Sequence, residues 1–210
     1  QRLDKVLANS GFGTRREIKR MVRAGQVLVN GKVVKDSGMH VDPEKNHIEI
    51  AGQKLVYKKY IYLLMNKPAG VLSATWDNRY KTVVDLIPEE YRHFNVFPVG
   101  RLDRDTEGLL LLTNDGQLAH NLLSPKKHVP KTYYAVVDGR VTQEDENIFK
   151  EGVKLDDGYT TLPAQLRIID SGETSEIQLT ITEGKFHQVK RMFAAVGKKV
   201  RYLKRIRMGA

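Results

Sequence analysis

The chain contains no cysteine. That excludes disulfides, Cys-ligated zinc, iron–sulfur clusters and a thiol nucleophile, and it fits a reducing compartment. Long apolar runs are also missing. A run such as Leu109–Leu112 falls far short of the ~20 residues that span a bilayer. The opening residues Gln1-Arg2-Leu3-Asp4-Lys5 are not followed by a signal-type apolar core. No membrane contact and a cytoplasmic location are therefore expected. Aromatic residues are few, 8% of the total with Trp76 the single tryptophan, so an aromatic-lined sugar cleft is not expected. The six histidines, at 40, 47, 93, 120, 128 and 187, form no i,i+4 pair and have no carboxylate in ligand register. No metal site is expected from that spacing.

What the chain has is positive charge. Thirty-five Lys and Arg against 25 Asp and Glu give a net +10 over 210 residues. A basic excess of this size points to a polyanion as partner, most often nucleic acid. The charge is unevenly spread. Residues 1–58 carry a net of +6, and residues 185–210 hold nine Lys and Arg with no acid. Two basic regions at opposite ends of the sequence imply two contact surfaces or one composite surface. At roughly 100–200 residues per domain, the length allows one large domain or two smaller ones.

Leu3, Val6 and Leu7 have helical spacing, which Gly11 and Gly13 interrupt. Thr14-Arg15-Arg16-Glu17 reads as a capping box opening a helix from Arg15 to about Ala24, with Gly25 as its stop. At about 100° per residue, Arg15, Arg16, Lys19, Arg20 and Arg23 share one arc. Ile18, Met21 and Val22 occupy the rest. A phosphate backbone suits the basic face, because each neutralised phosphate releases counterion. Val27-Leu28-Val29, Asn30-Gly31 and Lys32-Val33-Val34 predict a two-residue hairpin. Further strands are expected at 47–50 and 54–56. Gly25…Gly31-Lys32 is not a P-loop, because the spacing is five and Val33 replaces the Ser/Thr ligand.

A domain boundary is expected near residue 58, within polar Tyr57-Lys58-Lys59-Tyr60, which gives domains 1–58 and 59–210. Beyond it, strand patterns at 61–65, 96–99, 109–113, 132–137, 164–169 and 176–181 interleave with helical patterns at 117–123, 143–151 and 190–196. The irregular order predicts an α+β fold with a mixed or antiparallel sheet. Asn66-Lys67-Pro68-Ala69-Gly70 reads as a turn.

The most informative stretch is Gly100-Arg101-Leu102-Asp103-Arg104-Asp105-Thr106-Glu107-Gly108, followed by Leu109–Leu112. A carboxylate at the mouth of a buried strand needs a cation or hydrogen bonds to satisfy it. Held ionised, it can serve as nucleophile or base. Asp103 and Asp105 are two residues apart, so in an extended segment both point to one side. Residue pattern alone does not choose between them.

Two resemblances follow from these residues. Residues 1–58 resemble the S4 RNA-binding domain through Arg2-Leu3-Asp4, Thr14-Arg15-Arg16 and Val27–Lys32. Gly100-Arg101-Leu102-Asp103, Thr106 and Gly108-Leu109-Leu110 resemble the signature loop of pseudouridine synthases. Asn66–Val71, Lys131-Thr132-Tyr133, Glu183–Phe193 and Leu203–Gly209 are similar to the family's other motifs, in order. The run His187–Gly197 most resembles the RsuA type, which acts on small-subunit (16S) ribosomal RNA.

The resemblance implies a catalytic domain with a mixed or antiparallel sheet and Asp103 as the catalytic residue. Lys190 would be its cation, with Arg191 the adjacent alternative, and Tyr133 the active-site tyrosine. From the residues themselves, Arg101 is expected to position a phosphate or support the loop, His187 to make an RNA or structural contact, and Arg191 to contact RNA, beside the basic helix residues. The implied reaction breaks an N-glycosidic bond, turns the base and forms a C–C bond, without loss of atoms or electrons, so no cofactor is expected. The implied partner is ribosomal RNA, as small-subunit RNA or an assembly intermediate, bound by a monomer. Large-subunit (23S) RNA is the alternative substrate. A non-catalytic S4-type ribosome-associated protein would need no grouping of Asp103, Tyr133 and Lys190. A retaining glycosidase with paired carboxylates is disfavoured by the charge and the few aromatics.

Overall fold

The computed structural model describes residues 1–209. The chain divides into two compact units. One comprises Gln1–Ile61 with Ile87–Val96, the other Tyr62–Leu86 with the chain from Phe97 onward. The first division lies three residues beyond the expected boundary. The return of 87–96 to the first unit has no signal in the sequence.

In the first unit, α1 (Leu3–Asn9) and α2 (Arg15–Arg23) precede a four-stranded antiparallel sheet. Its strands are β1 (Val27–Val29), β2 (Lys32–Val33), β3 (Ile48–Ile50) and β4 (Gln53–Lys54), ordered β2-β1-β3-β4. The capping box is present: the Glu17 amide donates to Thr14 Oγ1, and the Thr14 amide donates to the Glu17 carboxylate at 2.7 Å. The strand expected at 54–56 forms earlier and shorter, and Val56 is exposed. Leu3, Leu7, Ile18, Val22, Val27 and Ile50 pack as a dry core between helices and sheet. Asp4 is buried at its edge, where Arg2 and Arg15 donate to its two oxygens at 2.8 and 2.9 Å. The Arg2 hydrogen bond, helped by Arg15 against the opposing effect of burial, holds this carboxyl far below the usual range. Residues 87–96 contribute a short helix, α3 (Glu89–Arg92).

The second unit is a seven-stranded mixed sheet. Its strands are β5 (Tyr62–Lys67), β6 (Phe97–Val99), β7 (Glu107–Thr113), β8 (Lys131–Asp138), β9 (Gln165–Asp170), β10 (Thr174–Ile181) and β11 (Lys199–Met208). The order is β5-β7-β11-β8-β10-β9, with β6 also pairing β7. All pairs are antiparallel except β7 with β11. Three helices join them: α4 (Gly116–Leu123), α5 (Gln143–Glu151) and α6 (Gln188–Ala195). Phe149 of α5 and Phe193 of α6 are fully buried, with ring centroids 5.0 Å apart. The α+β expectation with a mixed sheet therefore holds.

Residues 199–208 were expected to be part of a basic surface and instead form β11, a central strand between β7 and β8. Charge hid it: five of its ten residues are Lys or Arg. Much of the C-terminal positive charge is already engaged. Arg205 is buried, Arg191 and Lys198 pair with acids, and Arg201 pairs with Asp138. Gly108 faces Arg205 across the parallel pairing at φ +104°, and a Cβ there would overlap the Arg205 backbone. Only glycine permits that approach.

Candidate active site

The loop between β6 and β7 carries Asp103. It is a turn closed by the Thr106 amide donating to the Asp103 carbonyl at 3.0 Å. The turn is fixed from below by Lys67, at the end of β5, which is fully buried. Its Nζ lies 3.2 Å from the Asp103 carbonyl, 3.2 Å from that of Arg104 and 2.8 Å from that of Thr106. Pro68 supplies a fourth carbonyl. The residue types of 66–70 predict a turn, and the stretch 66–71 is similar to a family motif; Lys67 in fact ends the strand and anchors the loop. A lysine beside a proline gives no sign of burial, since lysine is almost never fully buried unless its charge is satisfied. Burial depresses the Lys67 pKa, and the nearby carboxylates of Asp105 and Asp103 oppose that shift.

Asp103, Tyr133 and His187 line one pocket, together with Arg101, Leu102 and Leu203. Tyr133 stands on β8, only 8% exposed, directly across from Arg205 on β11. Burial raises the pKa of its phenol, and the Arg205 charge partly offsets this. His187 Nε2 is 3.5 Å from Asp103 Oδ1. Lys190, in the first turn of α6, lies 3.3 Å from Asp103 Oδ2 and 2.7 Å from Asp105 Oδ1. The expected Asp103–Lys190 pairing is therefore present but shared. Burial works against the Lys190 charge, yet the Asp105 hydrogen bond and both carboxylates hold its pKa above the ordinary lysine value. The same hydrogen bond from Lys190 depresses the Asp105 pKa.

The two rival carboxylates differ in burial. The Asp103 side chain is 26% exposed and lines the pocket, while that of Asp105 is 72% exposed. Arg191, the alternative cation, turns elsewhere. Its Nε donates to Asp156 at 2.7 Å, and its guanidinium also pairs with Asp157. An arginine one residue beyond Lys190 on a helix points about 100° away, which is why adjacency in sequence did not make it equivalent.

In the first unit, Arg16, Lys19, Arg20 and Arg23 are exposed along α2. Arg15 is exposed too, but its guanidinium is committed to Asp4. Arg16, Lys19, Arg20 and Arg23 therefore form the free part of the basic face. Neutralising them is expected to flatten the salt dependence of RNA affinity by about one phosphate each. An RNA titration at several salt concentrations measures the slope. An unchanged slope would mark α2 as ordinary solvated surface.

RNA pseudouridylate synthase matches residues 61–195, and the S4 domain matches residues 1–46. The chain is 56% identical to a Bacillus subtilis (strain 168) protein described as an uncharacterized RNA pseudouridine synthase, YtzG, covering 99% of this chain and 87% of that one. It is 42% identical to ribosomal large subunit pseudouridine synthase B of the same organism, covering 98% and 84%. Among solved structures, a pseudouridylate synthase crystal structure superposes with a TM-score of 0.66 at 35% identity, covering 99% of this chain and 88% of that one. The chain belongs to the RNA pseudouridylate synthase family, with an S4 domain in front of the catalytic one, and its activity is the isomerisation of uridine in RNA.

Proposed function

We propose that the protein isomerises a uridine of small-subunit ribosomal RNA, with Asp103 as the catalytic carboxylate. The observation that carries the role of Asp103 is its position. It is the carboxylate that lines the pocket, half-sheltered, between the Lys190 ammonium and the His187 ring. A base inside a helix cannot reach such a carboxylate, so the target nucleotide leaves its stack and enters the pocket. Asp103 then attacks sugar or base, or takes a proton from the sugar, while the N-glycosidic bond breaks. The freed base turns and its C5 joins the sugar carbon that N1 left, with Asp103 released from any bond it had formed. C5 gives up its proton and N1 gains one, so atoms and electrons balance. Lys190 stabilises the carboxylate while it is charged. Tyr133 offers a face for the base, and its raised pKa keeps the hydroxyl protonated, able to donate a hydrogen bond.

The small-subunit substrate rests on the resemblance of residues 187–197 to the RsuA type. The 42% identical relative, named for the large subunit, favours large-subunit RNA as a second reading. Incubating the protein with in vitro transcribed 16S and 23S RNA, then mapping pseudouridine, tests both. Product in 16S alone supports the proposal. Product in 23S alone replaces it with the second reading.

A further inference from the structure

Phe186 stands beside the pocket and is 74% exposed, although an aromatic ring gains by burying its face. Its neighbours Lys185 and His187 both line the pocket. The phenyl ring is stacked on the His187 ring, centroids 3.8 Å apart and planes 19° from parallel, and His187 in turn reaches Asp103. One face of Phe186 is thus covered by the ring nearest the carboxylate, and the rest of it is open.

The loop that displays this ring is rigid. Glu183 is buried and accepts from the Tyr159 hydroxyl at 2.7 Å, the Leu162 amide at 2.8 Å and Gln188 Nε2 at 2.9 Å. Gln188 Oε1 accepts from the Lys185 amide at 2.8 Å. Arg191, held by Asp156 and Asp157, reaches the Phe186 carbonyl at 3.4 Å. His187 sits in the left-handed region at φ +47°. A non-glycine residue there persists where its surroundings over-determine it, and such residues cluster at ligand clamps. So many fixed contacts around one exposed ring describe a preorganised ledge.

We infer that Phe186 is a stacking platform for a nucleobase flanking the target uridine, holding the strand while the target occupies the pocket. The inference rests on the isomerase reading for the identity of the pocket's occupant. A base is the occupant that fits the surroundings. Lys185 and Arg101 border the same pocket, and their charges suit the phosphates on either side of a stacked base. An acidic or apolar protein segment would not need both. Stacking of this kind is sequence-tolerant because every base has a π-face.

Two measurements test it. Phe186→Ala is expected to raise KM for the ribosomal RNA that the wild type modifies by about 5- to 100-fold, the usual effect of losing one base–aromatic stack. kcat should fall by less. Phe186→Tyr should restore KM, and the slope of affinity against salt should stay as in the wild type, since no phosphate contact is removed. Thermal stability should be unchanged, because the ring is exposed. In a Trp76→Phe background, Phe186→Trp provides a reporter whose emission single-stranded poly-uridine should quench. That readout needs no turnover, so absence of product from the wild type together with quenching in the reporter variant would overturn the isomerase reading and leave the ledge standing. An unchanged KM in Phe186→Ala, or emission that poly-uridine leaves unaltered, overturns the ledge.

Discussion

Asp103→Asn is expected to abolish product while leaving the fold and RNA binding in place. The substitution keeps the shape of the side chain and removes its charge. The turn around it does not depend on that carboxylate, because Lys67 holds the Asp103, Arg104 and Thr106 carbonyls, and the Thr106 amide closes on the Asp103 carbonyl. The amide cannot act as nucleophile or base, so turnover should fall by at least ~10⁴-fold, as when an essential catalytic side chain is removed. Asp105→Asn is the control. Asp105 shares Lys190 but stands largely in solvent, so its loss should leave most of the rate. Pseudouridine formation under single-turnover conditions measures both. Normal turnover by Asp103→Asn together with loss in Asp105→Asn would reverse the assignment.

Lys190→Met is the second large effect. It removes the ammonium that lies between two carboxylates and leaves Asp103 and Asp105 facing each other, with His187 the nearest remaining partner of Asp103. Like charges brought together without a cation favour protonation of one of them. The acid limb of the pH–rate profile should therefore move to higher pH. The rate at neutral pH should drop by roughly 10²–10³, the loss typical of removing one preorganised electrostatic partner. The sign follows from the proposed role: the site acts through an ionised carboxylate, and Lys190, whose hydrogen bond holds the Asp105 carboxyl down, favours the charged form of the pair, so its loss narrows the active range from the acid side. Lys190→Arg keeps the charge and should retain much of the rate, although a planar fork replaces a point donor. Adding Asp105→Asn to Lys190→Met should partly restore the acid limb, because the second negative charge is gone. A pH profile that stays in place while RNA binding weakens would move Lys190 from the carboxylate to the phosphate backbone. Arg191→Met is expected to leave the pH profile alone, since Arg191 is held by Asp156 and Asp157.

Local rules account for what could be read without coordinates. The α2 capping box, the Asn30-Gly31 hairpin and the α+β pattern depend on near neighbours and on the alternation of polar and apolar residues. The signature around Asp103 was legible because its residue types crowd together in the chain. Other features depend on residues far apart in sequence. β11 was missed because half of it is Lys or Arg, and only its pairing with β7 and β8 makes it a strand. Lys67 looked like part of a turn until four carbonyls from two segments converged on it. Phe186 lay within the stretch similar to the family's late motif, but nothing in it marked the ring as open to solvent, because exposure cannot be read from a residue type.

The amino-acid sequence by itself therefore determined the order of the parts, the basic helix and the stretch that holds the site. Short-range hydrogen bonds, hydrophobic period and residue chemistry set all three. Alternation along the chain treats Asp103 and Asp105 alike and the family resemblance singles out Asp103; only the tertiary structure shows how their surroundings differ, since the walls of the pocket shelter one and leave the other largely in water. It also decided that Lys190 reaches both carboxylates and Arg191 neither. That choice depends on which side of α6 faces the loop, a rotation set by the packing of Val189, Met192 and Phe193 into the core.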